Sequence, residues 1–262
     1  MLTSFTNALQ KYWTFTVDVE GRRIAATDPN THRQGFAYDA VGQLTAWTNA
    51  LQGVTTFDYN PLGNLTRVVD PRGNPLTFGY DAVSRLTQIT YAGGSSEKFG
   101  YDGVGNVTSI TNRAGQAIVL TYDAANRLTQ KSYVGTGDAI TYAYDSANQL
   151  TGVVAAVTGG TSVLGFQYDA AGRLTNELQK VGQASSLSIG YEYYADGRRK
   201  KLVYPDSSFI TYEYNAKGWL TAIRDGGTNT IVSYEYDAAG RRTRRELENN
   251  TFTVYELSLI HI

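Results

Sequence analysis

Residues 168–175 read YDAAGRLT and residues 236–243 read YDAAGRRT. The same phrase, lightly varied, appears as YDAVGQLT (38–45), YNPLGNLT (59–66), YDAVSRLT (80–87), YDGVGNVT (101–108), YDAANRLT (122–129), YDSANQLT (144–151) and YNAKGWLT (214–221). With the weaker copies at 17 and 193, the phrase starts at 17, 38, 59, 80, 101, 122, 144, 168, 193, 214 and 236. The first five steps are 21 residues each, and the later ones are 22, 24, 25, 21 and 22. A catalytic centre needs its residues once, so a tandem repeat of this kind points first to architecture.

Each position of the phrase has a physical role. Position five is Gly21, Gly42, Gly63, Ser84, Gly105, Asn126, Asn148, Gly172, Gly197, Gly218 and Gly240. Glycine, then asparagine, most readily adopts positive φ, so a left-handed residue is required there. Position two is Asp or Asn in every copy except Tyr194. Such a side chain accepts backbone N–H groups two or three residues on and starts a turn. Asp-x-x-Gly thus reads as a type I turn followed by a left-handed residue, a common hairpin connection. Tyr at position one ends the incoming strand, and Arg/Asn/Gln-Leu-Thr begins the outgoing one.

Between the phrases the pattern alternates. Ile140-Thr141-Tyr142-Ala143-Tyr144 and Ile210-Thr211-Tyr212-Glu213-Tyr214 place an apolar set on one face with a period of two. Two strands of about six residues and two turns fill a unit. The fold expected is all-β: β-hairpins in series, paired edge to edge into a long curved ribbon. Residues 1–16 read as a lead-in and partial repeat. Residues 17–256 read as eleven repeats of 21–25 residues, the last truncated. The Gly/Ser/Thr-rich stretches VTGGTS (157–162) and GQASS (182–186) read as loops that absorb the longer spacings. The tail Leu257–Ile262 fits no repeat phase and resembles the translation of a transposon-end sequencing adapter, so it reads as non-native.

The bulk composition supports strands and excludes several functions. There are 20 Tyr and 27 Gly among 262 residues, with one Met and five Pro. Tyr favours strands and Gly marks turns. Twenty-three basic against 24 acidic residues give a net charge of −1, with no strong pull toward nucleic acid or an anionic membrane. No cysteine is present, which removes disulfides and Cys-ligated metals. No apolar run approaches the ~20 residues of a membrane span. The N-terminus lacks the basic and apolar regions of a signal peptide.

On these residues the chain resembles the Rhs, or YD-repeat, proteins. Asp70-Pro71-Arg72-Gly73-Asn74 followed by Thr77-Phe78-Gly79-Tyr80-Asp81 looks like the longer form of the same repeat. In that family the repeats coil into a hollow β-solenoid shell. Bacterial members, among them insecticidal toxin complexes and polymorphic Rhs effectors, enclose a C-terminal toxin in it; teneurins use a similar shell in adhesion. The resemblance implies a shell fragment of a larger secreted or cell-surface bacterial protein, with the encapsulated toxin domain as its partner. The alternative it leaves is an adhesive or carbohydrate-binding module. The family's closing segment and self-cleaving aspartate site have no counterpart here, so no cleavage residue is carried over.

Candidate chemistry is sparse. Asp18, Asp39, Asp81, Asp102, Asp123, Asp145, Asp169 and Asp237 form a ladder, but each turn offers a single carboxylate where calcium wants six to eight clustered oxygens. They read as turn formers, and nothing singles out a carboxylate pair for glycosidase chemistry. His32 and His261 cannot make a metal site or a nucleophile–base pair by themselves. The runs Arg198-Arg199-Lys200-Lys201 and Arg241-Arg242-Thr243-Arg244-Arg245 could meet nucleic acid or acidic cargo. On a strand they split between two faces and read instead as ion-paired surface. The tyrosines suggest sugar stacking or, more simply, rings stacked on neighbouring repeats to build a packed face. The sequence therefore assigns no catalytic, cofactor or metal residue, no enzyme activity, no nucleic-acid partner and no membrane span.

Overall fold

The computed structural model describes residues 4–6, 11–226 and 228–255. Glu256, the presumed tail with His261, and residues 1–3 and 7–10 of the lead-in lie outside the described residues. Every regular element among them is a β-strand, so no helix there is long and apolar enough to cross a membrane. The chain forms two compact units: Met1–Asn126 with Tyr133–Gly135, and Arg127–Ser132 with Thr136–Ile262.

The first unit carries β1 (Ser4–Thr6), β2 (Tyr12–Val17), β3 (Arg23–Thr27), β4 (Arg33–Tyr38), β5 (Leu44–Thr48), β6 (Val54–Tyr59), β7 (Leu65–Val69), β8 (Pro75–Tyr80), β9 (Leu86–Thr90), β10 (Ser96–Tyr101), β11 (Val107–Thr111) and β12 (Ala117–Tyr122). Each pairs antiparallel with its sequence neighbours. The second unit repeats the plan with β13 (Leu128–Tyr133), whose last residue groups with the first unit, β14 (Ala139–Tyr144), β15 (Leu150–Val157), β16 (Gly160–Tyr168), β17 (Leu174–Val181), β18 (Leu187–Tyr193), β19 (Arg199–Val203), β20 (Phe209–Tyr214), β21 (Leu220–Asp225), β22 (Asn229–Tyr236), β23 (Arg242–Leu247) and β24 (Phe252–Val254).

The octapeptide turn behaves as its chemistry requires. In the first copy the Gly21 N–H donates to the Asp18 carbonyl at 3.0 Å, and the Asp18 N–H donates to the Arg22 carbonyl at 2.9 Å. This is a type I turn closed by a left-handed residue. All eleven position-five residues have positive φ, from 59° at Asn126 to 102° at Gly105. The register slips by one residue where the strand enters such a turn, as between Thr16 and Val17 or Ala37 and Tyr38. The aspartate reaches further than two or three residues. Asp39 Oδ1 accepts from the N–H of Val41 and, four residues on, of Gln43.

A second turn of the same geometry closes the other end of each early unit. Asp28, Asn49, Asp70 and Asn112 start it, and each side chain again accepts N–H groups two and four residues on. These residues stand ten beyond Asp18, Asp39, Asn60 and Asp102. The first unit is thus a meander with one backbone turn geometry at both edges.

Cross-strand pairs show which residues share a face. Phe36 lies opposite Trp47, Phe57 opposite Val68, Phe78 opposite Ile89 and Phe99 opposite Ile110. In the second unit Tyr142 faces Val153, Tyr191 faces Leu202 and Tyr212 faces Ile223. The other face carries small or polar pairs such as Gly35 with Thr48 and Thr77 with Thr90. An aromatic–aliphatic pair contributes roughly 0.2–1 kcal/mol, so stability accrues repeat by repeat. Among the described residues only Ala25, Ala222 and Val232 are buried, and no side chain is fully enclosed. Each unit is sheet without a covering layer.

One sequence expectation is corrected. VTGGTS does not form an excluded loop: Val157 pairs with Gly160 and Ala156 with Thr161, leaving Thr158-Gly159 as the tip. Ser162 continues the ladder to Val181. The insertion lengthens β15, β16 and β17, because Thr and Val satisfy their backbone groups by pairing. GQASS does connect β17 to β18 as a loop.

Candidate functional site

The chemistry of this chain is concentrated where one repeat meets the next. Position six stands between its own turn and the outgoing strand and faces the turn of the following repeat. In Arg85 the Nε donates to Asp81 Oδ2 of its own turn at 2.6 Å. Its Nη1 donates to the Asp102 carbonyl of the next turn at 2.8 Å, and its guanidinium lies 4.7 Å from the Tyr101 ring centre. Arg22 and Arg173 repeat all three contacts, the latter with Asp169, the Tyr194 carbonyl and the Tyr193 ring. Shorter amides at this position reach across too. Gln149 donates to the Gly172 carbonyl at 3.0 Å, and Asn64 to Ser84 Oγ at 2.8 Å.

Position one supplies a second bond between repeats. The Tyr59 hydroxyl donates to the Leu44 carbonyl at 3.0 Å, Tyr80 to Leu65 at 2.8 Å, Tyr101 to Leu86 at 2.8 Å and Tyr122 to Val107 at 2.9 Å. Tyr144, Tyr168, Tyr193 and Tyr236 do the same in the second unit. The acceptor is always position seven of the preceding repeat, at the bulge. Between β5 and β6 the backbone ladder ends at Ala46 and Thr56, so the hydroxyl joins strands that have parted.

This corrects the expectation that tyrosine rings stack on each other. Among the described residues one tyrosine pair meets edge to face, Tyr194 with Tyr214 at 6.0 Å. Of the position-one rings, Tyr38, Tyr101, Tyr144, Tyr193 and Tyr214 lie under arginines, and most of the set act through their hydroxyls. The arrangement follows from length: neighbouring position-one residues are two strands apart, about 10 Å, too far for ring contact.

The sequence-assigned aspartates sit in turns. Among the described residues no three His, Asp or Glu side chains cluster as a metal site. His32 lies against Asp28, Nδ1 to Oδ2 at 2.9 Å. In the basic runs Arg198 pairs with Asp196, Arg241 with Asp237, Lys200 and Lys201 with Glu192, and Arg244 with Glu235 and Glu246. Glu192, Glu235 and Glu246, with Asp196 and Asp237, supply that balance. The sequence analysis missed the role of position six. Its signal was present, since Arg, Gln or Asn fills that position in ten of eleven copies.

The turn carboxylates beside the joint are held in their charged form. The Arg85 backbone N–H holds the Asp81 carboxyl below the usual aspartate range; partial burial opposes this and the Arg85 guanidinium reinforces it. Asp169 and Asp237 are lowered the same way by Arg173 and Arg241. A carboxylate depressed on folding stabilises above its unfolded pKa of about 3.9, and that contribution is lost as pH falls through the folded value. The melting temperature should therefore stay level down to about pH 5 and then fall. In Asp81→Asn/Asp169→Asn/Asp237→Asn the fall should be shallower. A triple variant with an unchanged acid slope would rule out this origin.

The RHS repeat family model matches residues 38–75, 59–96, 101–137, 144–184, 193–230 and 214–249. This chain belongs to the RHS repeat family. No curated protein matches it. Among solved structures the RHS chain is similar to the crystal structure of TcdB2-TccC3-TEV, at 16% identity and a TM-score of 0.60, over 90% of its own length and 14% of that chain. It also matches the crystal structure of TcdB2-TccC3-Cdc42, at 17% identity and TM-score 0.48, over 96% of this chain and 16% of that one. A third match is the Photorhabdus luminescens Tc holotoxin pore, at 15% identity and TM-score 0.47, over 92% and 18%. The first establishes the fold: antiparallel RHS repeats. The RHS chain spans about one seventh of the length of that first match.

Proposed function

We propose that this RHS chain is a wall segment of a shell which, in its full-length protein, encloses and delivers a C-terminal toxin domain. The observation that carries this is the joint. Most repeats are fastened to the next through position-six and tyrosine hydroxyl bonds, and both faces of each unit lack a covering layer. Such a sheet acts by confinement, with no catalytic, cofactor or metal residue of its own. Similarity to the TcdB2-TccC3-TEV structure supports this reading, as does the repeat period in the sequence. The site of action is then outside the producing cell, in a secreted or surface-bound assembly.

The adhesive, carbohydrate-binding alternative draws on the same tyrosines. Their hydroxyls are committed to backbone carbonyls and several rings lie under guanidinium groups, which leaves less for a sugar to use. The test is protease protection in the full-length parent protein. The region downstream of the repeats should resist a protease that digests it when expressed alone. If it is cut equally fast in both, the confinement reading fails.

A further inference from the structure

The two basic runs are not consumed by the joint, and the sheet divides them unequally. Across β18 to β23 one face carries Glu192, Glu213, Glu235 and Glu246. These pair with Lys200 and Lys201, with Arg224 at 2.6 Å, and with Arg244. Four acids thus meet four bases, and that face is neutral.

The opposite face differs. Tyr191, Tyr212 and Tyr234 lie on it with Leu202, Ile223 and Arg245 as their cross-strand partners. Arg199 sits over Tyr191 at 5.1 Å and Tyr212 at 5.9 Å, and Arg242 over Tyr234 at 4.5 Å. Arg199, Arg242 and Arg245 are exposed, and among the described residues none has an ion-pair partner. By register this face holds Glu177, which accepts the Tyr191 hydroxyl, and Asp225 at the end of β21. Neither pairs with the three arginines. The face is a tyrosine floor with three guanidinium groups that have no ion-pair partner among the described residues, and they outnumber its two carboxylates.

We infer that this Tyr/Arg face binds an acidic, extended polypeptide segment. Charge complementarity selects the sign, and guanidinium geometry selects carboxylate through paired N–H donors. Tyrosine rings beneath two of the arginines hold those groups in place before a ligand arrives, which lowers the ordering cost of binding. Spacing selects the form. Arg242 and Arg245 are about 10 Å apart along one strand, and β19 lies about 19 Å from β23 across four strand steps. An extended chain bridges those gaps with a carboxylate about every third and sixth residue. Nucleic acid fits less well: its phosphates are denser than three cations in this area can match, and the whole chain is net negative. This inference holds whatever the full-length protein encloses.

The test uses the intact chain and a fluorescently labelled Asp-Ser-Gly repeat peptide of about 12 residues. An Asn-Ser-Gly peptide and a single-stranded oligonucleotide serve as comparisons. Fluorescence anisotropy should show binding of the acidic peptide that weakens between low and ~150 mM salt, tighter than either comparison. Arg199→Gln/Arg242→Gln/Arg245→Gln should weaken it about tenfold, from three exposed pairs of about 0.5 kcal/mol each. Lys201→Gln/Arg224→Gln on the opposite face should leave it unchanged. Arg199→Lys/Arg242→Lys/Arg245→Lys, which keeps the charge but loses the paired N–H donors, should bind between the parent and the glutamine triple. No binding at low salt, equal loss from either face, a lysine triple no better than the glutamine triple, or an oligonucleotide that binds more tightly would each overturn the assignment.

Discussion

Gly240→Val should lower the unfolding free energy by about 3 kcal/mol. Two costs add. Gly240 has φ of 84°, where a side chain other than Gly or Asn is strained by roughly 1–2 kcal/mol. A Cβ at this position would also stand 2.7 Å from Trp219 Cζ2 and 3.0 Å from Cε2. Trp219 is the one aromatic at position six, and it packs on the Tyr236 ring at 5.4 Å. It must therefore move and give up that contact, an overpacking cost of about 1–3 kcal/mol. Gly73→Ala is the control. Its φ is also 84°, but nothing lies within 4 Å of the added carbon, so only the backbone strain should appear. Urea denaturation of the three proteins measures this directly. In a Trp219→Arg background, which restores the usual position-six residue, the Gly240→Val penalty should shrink to the backbone part, about 1–2 kcal/mol. A penalty that does not shrink would remove Trp219 from the explanation.

Replacing Tyr59, Tyr80, Tyr101 and Tyr122 together with phenylalanine should cost about 4 kcal/mol, roughly 1 kcal/mol for each lost hydroxyl bond. Each ring stays, so its apolar contact is kept, as is the Arg85 guanidinium over Tyr101. What goes is the donor to Leu44, Leu65, Leu86 and Val107, at points where the ladder has already parted. These bonds lie in successive repeats without shared partners, so the four effects should be close to additive. Against a typical total of 5–15 kcal/mol the sum is large, and the first unit should melt ahead of the second. Tyr12→Phe serves as the neutral control, since Tyr12 is 62% exposed. Single-variant denaturation and amide exchange in β5 to β12 would read both the sum and its location. A quadruple variant as stable as the parent would show that water replaces the hydroxyls at no cost.

The hairpin series was legible because its instructions are local. A left-handed residue at position five, an Asx at position two and a period-two apolar set act within a few residues of themselves. The second turn was only half legible. Asp28, Asn49, Asp70 and Asn112 keep the Asx, but the left-handed position there is Thr31, Gln52, Gly73 and Gly115, so the glycine signal is diluted. VTGGTS was misread because Gly and Thr composition suits both a loop and a short hairpin tip. Pairing across β15, β16 and β17 decided between them.

The sequence by itself determined the strand–turn–strand unit, its period and the family. Those depend on backbone conformations that each residue selects in place. The tertiary structure alone decided what joins the units. Tyr59 finds Leu44 fifteen residues back, and Arg85 finds Asp102 seventeen residues on, only after the strands between them have paired. It alone also decided how the basic runs divide. Arg244 meets Glu235 and Arg245 meets Tyr234 because register fixes what stands opposite each side chain. A shift of one residue would exchange the two faces.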